Sequence, residues 1–398
     1  MHIAMIGTTA PSHIYPSLAV IAELVRRGHR VTYAVGDSLR HVVEPAGVEV
    51  VPFTSILPDG EASWPDDPAA AMQVFLDEAI ASYPVLTAFY DDDQPDLFLY
   101  DIGGMTAPVL GVRYGVTAVQ LSPTYVAWDG YAEDLSDVLT PMRESAGGLR
   151  YHASYTAWLR ENDIDADPWD WITNPQHCLS LIPKVMQPNA DRVPDSVRFV
   201  GPCLDPVRLQ DRSWTAPDTP ILYISFGTGY NERSEFYRLC IETFANTDWH
   251  LVISIGRRVD PAVLGELPAN VEVHEHVPQL VVLDAATVFV THAGMGGCTE
   301  ALWFGVPTVA IPQAVDQFGN AAMLAELGVG VHLEFEKVTA ASLADAVARA
   351  RQLAPRAAEM SAQVRAHGGV EQAADAIEQF RNQLDVTAVE RRPGSPAA

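Results

Sequence analysis

Short apolar runs alternate with segments of helical periodicity, and the pattern is laid down twice along the chain. In the first half, strand-like runs fall at 2–6 (HIAMI), 30–35 (RVTYAV), 48–53 (VEVVPF), 96–101 (DLFLYD) and 116–122 (VTAVQLS). Helical stretches lie between several of them. One spans 16–28, with Leu18, Ile21, Leu24 and Val25 on one face and Gly28 as its stop; others fall at roughly 70–90 and 104–114. Strands at 178–183 and 197–202 close the first series. The second series runs strand 221–227, helix 232–245, and strands 250–256, 271–276 and 287–291. It continues with a glycine turn opening a helix, strand 307–312, helix 317–327, and C-terminal helices at 339–351 and 355–384. Strand–helix–strand alternation builds parallel sheets covered by helices on both faces. At 398 residues the chain is long for one core. The expectation is an α/β protein of two doubly wound, Rossmann-like domains facing across a cleft, with ligands at the carboxyl ends of the strands.

The expected boundaries are 1–202 for an N-terminal domain, a linker at 203–218 where Pro and polar residues concentrate, and 219–370 for a C-terminal domain. A helix at 371–385 is expected to pack back on the N-terminal domain, and 386–398 to be a disordered tail. The loop 52–68 and the stretch 123–175, where the alternation loosens and Trp, Tyr and Asp accumulate, are long for pure connectors and suit a binding role.

Lys and Arg number 25 against 51 Asp and Glu, a formal charge of −26, which repels nucleic acid and anionic lipid. No apolar run reaches the ~20 residues of a membrane span, and the start MHIAMIGTTAPSH lacks the basic and apolar regions of a signal peptide. A cytoplasmic protein is expected. Cys178, Cys203, Cys240 and Cys298 form no C-x-x-C pair, so neither a disulfide framework nor a zinc site is indicated. DDDQPD (91–96) imitates a metal-binding acidic motif but reads as a polar loop before a strand, and no metal is expected.

The stretch HAGMGGCTE (292–300) follows an apolar strand and opens a helix. Gly294, Gly296 and Gly297 let the backbone approach an oxygen-rich ligand, and the first N–H groups of the helix face it with the positive dipole end behind them. On spacing alone a phosphate site and a tight structural turn both stand, and the stretch is not a G-x-G-x-x-G fingerprint. His13 follows the first strand and its turn; a lone histidine there more often packs or caps the turn than acts as a base. Asp101 ends another strand on the same sheet edge, where a carboxylate can hold an imidazole N–H. Tyr125, Trp128, Tyr131, Tyr151, Tyr155, Trp158, Trp169 and Trp171 fit either core or the wall of an apolar site. The GRR run at 256–258 reads as a solvated pair as readily as a phosphate contact.

The stretch 273–321 (VHEHVPQLVVLDAATVFVTHAGMGGCTEALWFGVPTVAIPQAVDQFGNA) resembles the donor signature of nucleotide-sugar-dependent glycosyltransferases of the GT-B fold. With SHIYPSLAVIAELVRRGHRVTYA, PDLFLYD and YISFGTG in the same order, nearly the whole chain is similar to the bacterial macrolide glycosyltransferases of the oleandomycin type. The resemblance implies an inverting, metal-independent hexosyltransferase. Its co-substrate would be a nucleotide diphosphate sugar, UDP-glucose or a TDP-sugar, and its acceptor a small hydroxylated natural product such as a macrolide or polyphenol. It assigns His13 as general base and Asp101 as its support. It places Val277 and Gln279 at the nucleotide base, with His276 where the family usually carries a stacking Trp. His292 falls to the diphosphate with the N–H groups of Gly294, Gly296, Gly297 and Cys298, the last standing where Ser or Thr is common. Glu300 falls to the ribose, Asp316 and Gln317 to the sugar, and Ser225, Gly227 and Thr228 to the donor-pocket wall. Tyr125, Trp128 and Tyr131 are the acceptor-wall candidates.

A TDP-deoxysugar-dependent antibiotic-biosynthesis enzyme is the near alternative. A nucleotide-sugar epimerase or a non-catalytic auxiliary glycosyltransferase-like protein are alternatives of other classes, and a dehydrogenase is more distant. A homodimer is left open.

Overall fold

A computed structural model describes residues 1–58, 64–227, 229, 231–314 and 316–390, with side chains through residue 380. The chain forms two compact units. The first holds Met1–Leu181, Asn189–Cys203 and the C-terminal segment from Gly369; the second holds Ile182–Pro188 and Leu204–Gly368. The segment expected as a linker at 203–218 thus belongs, by its packing, almost wholly with the second unit, and it carries a short helix, Pro206–Leu209.

The first unit is built on seven parallel strands: β1 (His2–Ile6), β2 (Arg30–Gly36), β3 (Glu49–Phe53), β4 (Leu97–Tyr100), β5 (Ala118–Ser122), β6 (Cys178–Ser180) and β7 (Val197–Phe199). Their order is β3-β2-β1-β4-β5-β6-β7. These strands read as apolar runs because the sheet is covered on both faces. Ile3 and Met5 look one way, packing on Leu18, Ile21 and Leu24 of the helix Pro11–Arg26 and on Ile377 and Phe380 of the C-terminal helix. Ala4 and Ile6 look the other way, with Phe98, toward Leu86 and Tyr90 of the helix Pro68–Asp92 and Leu110 of Thr106–Tyr114. Each such buried aliphatic side chain contributes about 1.5–3 kcal/mol.

The second unit repeats the plan with six parallel strands: β8 (Ile221–Ser225), β9 (His250–Ser254), β10 (Val271–His274), β11 (Val288–Thr291), β12 (Thr308–Ala310) and β13 (Gly330–His332), in the order β10-β9-β8-β11-β12-β13. In each sheet the order reverses beside its first strand, between β1 and β4 and between β8 and β11. Helices leave opposite faces of the sheet at such a point and open a crevice beyond the strand ends.

Four expectations need correction. The first helix begins at Pro11, not 16, so His13 lies in its first turn; Pro11 at the first helical position starts it. The stretch 123–175 is largely helical, with Tyr131–Asp134, Ser136–Glu144, Ala146–Glu161 and Pro168–Thr173. Its aromatics at helical spacing, Tyr151, Tyr155 and Trp158, are buried against Leu76 and Ala79 of Pro68–Asp92 and are core. The span 355–384 is two helices, Ala354–Arg365 and Val370–Glu390, separated where Gly368 and Gly369 adopt φ of +97° and +126°. The second helix runs through 386–390, expected as tail, and packs on Pro11–Arg26 within the first unit, where Arg27 bonds Asp375 at 2.6 Å and Glu378 at 2.9 Å. Among the described residues no helix is long and apolar enough to cross a membrane.

Candidate functional site

The switch point of the first sheet brings His13 and Asp101 together. β1 ends at Ile6 and the chain turns into the helix Pro11–Arg26; β4, paired to β1 with Ile6 opposite Tyr100, delivers Asp101 one residue beyond its end. The Nδ1 of His13 stands 2.9 Å from Oδ1 of Asp101. The same oxygen accepts from the Thr8 hydroxyl and, at 3.1 Å, from the Gly103 N–H, while Asp101 is 2% exposed. Gly103 is required there, since a Cβ would strike the Thr8 side chain. An ionised carboxylate only accepts, so Nδ1 carries the proton and Nε2 is the basic nitrogen. The His13 side chain is 25% exposed, which leaves it accessible to a substrate. A buried carboxylate holding a part-exposed imidazole is an arrangement that can remove a proton from a hydroxyl and stabilise the resulting imidazolium.

The switch point of the second sheet gathers most of the other candidates. Ser225 and Thr291 are register partners at the ends of β8 and β11. Ser225 is buried and its Oγ accepts from the Gly227 N–H at 3.3 Å. Beyond β11 the turn runs through Ala293, held at φ +63°, into the helix Met295–Phe304 with Gly294 as N-cap. The N–H groups of Met295, Gly296 and Gly297 have no acceptor within their own helix. Cys298 differs from expectation: its N–H donates to the Gly294 carbonyl at 3.0 Å, because the helix starts early enough to consume it. The Cys298 thiol is buried, so neither of its groups faces a ligand.

The glycines divide by role. A Cβ at Gly227 would lie 2.6 Å from Cε1 of His292, and one at Gly294 would lie 2.5 Å from its Nε2. These two residues make room for the imidazole, whereas Gly296 has open space where a Cβ would be. Burial pushes His292 down to about 4, so it is neutral at pH 7 and can offer a ligand one N–H but no cationic charge.

Glu300 is 8% exposed. One of its oxygens accepts from Gln279 Nε2, and Gln279 Oε1 in turn accepts from the Tyr223 hydroxyl at 2.9 Å. Burial pushes the carboxyl up, and Arg208 and Gln279 pull it back. The Val277 side chain is core, leaving only its backbone for a ligand, and His276 is exposed. Gln317 is 2% exposed, with Oε1 accepting from the Gln313 N–H at 2.8 Å and the Ala314 N–H at 3.2 Å. Asp316 Oδ2 accepts from Asn320 at 2.9 Å. Thr228 lies outside the described residues.

Two residues escaped the sequence reading. Asn320 also donates to the Ala293 carbonyl at 2.9 Å, and so ties the Asp316 turn to the strained turn after β11. Its signal was the Asn of DQFGNA at helical spacing from Asp316. Arg208, from the short helix Pro206–Leu209, places Nη1 3.5 Å from Glu300 Oε1. A Pro-rich polar context hid it.

Tyr125, Trp128 and Tyr131 share the lining of one cavity of about 290 Å³ in the first unit, with Gln120 and Ser122 at the carboxyl end of β5. The acidic run 91–96 is tied to protein partners: Asp91 to Arg113 and Tyr114, Asp93 to Arg30, Asp96 to the His2 N–H. Arg258 of the GRR run pairs with Glu232 at the surface.

The family model described as "Erythromycin biosynthesis protein CIII-like, C-terminal domain" matches residues 238–377. Over 388 residues the chain is 44% identical to oleandomycin glycosyltransferase of Streptomyces antibioticus, covering 95% of this chain and 90% of that protein. It is 34% identical to the NDP-glycosyltransferase YjiC of Bacillus licheniformis, covering 95% and 97%. Among solved structures, the glycotransferase of kitacinnamycin superposes with a TM-score of 0.88 at 41% identity, over 95% of this chain and 98% of that one.

Proposed function

The chain belongs to the GT-B family of natural-product glycosyltransferases that includes oleandomycin glycosyltransferase, and from that premise we propose that it moves a hexose, glucose from UDP-glucose, to a hydroxyl of a macrolide or polyphenol. The observation that carries the chemistry is the 2.9 Å pairing of His13, in the first turn of the helix after β1, with the buried Asp101 just beyond β4. Neutral His13 takes the acceptor's proton at Nε2 as the acceptor oxygen attacks the anomeric carbon. The nucleoside diphosphate leaves from the opposite face, so an α-linked donor gives a β-glycoside. Asp101 stabilises the imidazolium that forms.

The leaving diphosphate is met by the N–H groups of Met295, Gly296 and Gly297, the helix dipole behind them and one N–H from His292, without a metal ion. Glu300 accepts from the ribose hydroxyls, and Asp316 and Gln317 present to the hexose. The cavity at Tyr125, Trp128 and Tyr131 offers the acceptor an apolar wall. Support for a nucleotide donor comes from the name of the Bacillus relative, an NDP-glycosyltransferase. A TDP-sugar is the second reading, because His276, which is exposed, stands where the family resemblance expects a stacking Trp.

A thermal-shift panel of UDP, UDP-glucose, dTDP and dTDP-glucose separates the two. A ligand at a hundredfold excess over its Kd stabilises by about 2.7 kcal/mol, so the midpoint is expected to rise for the uridine pair. A rise confined to the thymidine pair moves the reading to TDP-sugars, and no rise with any of the four removes the donor-site assignment.

A further inference from the structure

We propose that Arg208 is a positioning residue of the donor site, holding the Glu300 carboxylate ionised and aimed for the nucleotide's ribose; this rests on the reading of Glu300 given above. Glu300 is buried, and a buried carboxylate without a cation takes up a proton rather than remain charged. A protonated carboxyl keeps less capacity to accept from a vicinal diol. The cation comes from Arg208, whose Nη1 lies 3.5 Å from Oε1, while Oε2 is held by Gln279. Gln279 cannot turn away, since its own carbonyl oxygen accepts from Tyr223. Among the described residues, Oε1 faces Arg208 and Oε2 faces Gln279, which leaves each oxygen lone-pair capacity for a hydroxyl.

The fold has put effort into bringing this arginine in. Asp205 caps the helix Pro206–Leu209 through the Val207 N–H at 2.8 Å, and that helix packs on Gln279–Ala285, which carries Gln279. The segment 204–209 is thus part of the donor pocket's construction. The titratable and charged groups bearing on Glu300 are Arg208 and, more distantly, the Tyr223 hydroxyl. Arg208 also acts on the exposed His276, which is pushed down first by burial and then by Arg208 and Arg257, with Asp211 opposing.

The test is the Kd of UDP by calorimetry for the intact protein and for Arg208→Met, Arg208→Lys and Glu300→Gln, from pH 5.5 to 8.5. Loss of Arg208 raises the Glu300 pKa, so binding is expected to weaken as pH falls. For Arg208→Met we expect a Kd raised about tenfold at pH 6 and much less at pH 8.5. Arg208→Lys is expected to restore a flat profile, and it carries the test if the Met variant fails to fold. A Kd for Arg208→Met that is unchanged, or raised equally at every pH and not rescued by Lys, overturns the inference. Glu300→Gln distinguishes the two layers. If it weakens UDP while Arg208→Met does not, the inference alone fails; if it leaves UDP affinity intact, the ribose role of Glu300 fails and the inference with it.

Discussion

His13→Ala is expected to lower kcat by about 10²–10⁴-fold, the range that a positioned general base contributes, while the donor KM changes by less than about twofold. The separation follows from the architecture. On the reading proposed above, the donor is held by Ser225, His292, Glu300 and Gln317 of the second compact unit, and His13, in the first, is not among those residues. Nor should the fold suffer. The His13 side chain is a quarter exposed, and the oxygen of Asp101 it leaves is still served by Thr8 and Gly103. Steady-state kinetics with varied donor and saturating acceptor read both quantities, and circular dichroism checks the fold. Loss of donor affinity in place of rate would move His13 out of the base role.

The second large effect is at the turn after β11. Gly294→Ala puts a methyl group 2.5 Å from Nε2 of His292, beside the same edge of the ring that a Cβ at Gly227 would approach to 2.6 Å. The imidazole must leave its place or the turn must open. Overpacking of this kind costs about 1–3 kcal/mol of stability. It also displaces the N–H groups that begin the helix Met295–Phe304, and the donor KM is expected to rise about tenfold or more. Gly296→Ala is the informative companion. Its Cβ meets nothing within 4 Å in the free protein, so stability should hold or improve slightly. If donor binding nonetheless weakens, the space at Gly296 is occupied by the donor and not by protein. Thermal unfolding together with donor titration separates these effects.

Much of this was legible in the sequence for a physical reason. Strands covered on both faces must be apolar throughout, and HIAMI, ILYIS and VFVT announce themselves. Ser225 ends β8, Asp101 and His292 lie one residue beyond β4 and β11, and His13 lies in the first turn of the helix after β1, so all four take their position from topology, and the approach of His13 to Asp101 across β1/β4 could be anticipated. The helices between 131 and 173 were harder. Ser136–Glu144 is short, carries Pro141 inside it and buries none of its residues, so its few apolar positions mark no core-facing stripe, and Ala146–Glu161 mixes two glycines and several polar residues with its aromatics. Helix starts were misjudged where caps are unspecific. Gly294 caps without a side chain, and this hid the loss of the Cys298 N–H to the helix. Arg208 was invisible because a polar, Pro-rich stretch reads as a tether. Only its packing against Gln279–Ala285 brings it to Glu300.

The central claim is a single displacement at the anomeric carbon driven by His13, and the anomeric configuration of the product tests it most directly. Purified protein incubated with an α-linked UDP- or dTDP-hexose and a macrolide acceptor should yield a glycoside whose anomeric proton shows the large coupling of a β-linkage, with product formation abolished or slowed to the expected extent in His13→Ala. An α-linked product from the same donor, or a β-glycoside formed equally fast without His13, would contradict it.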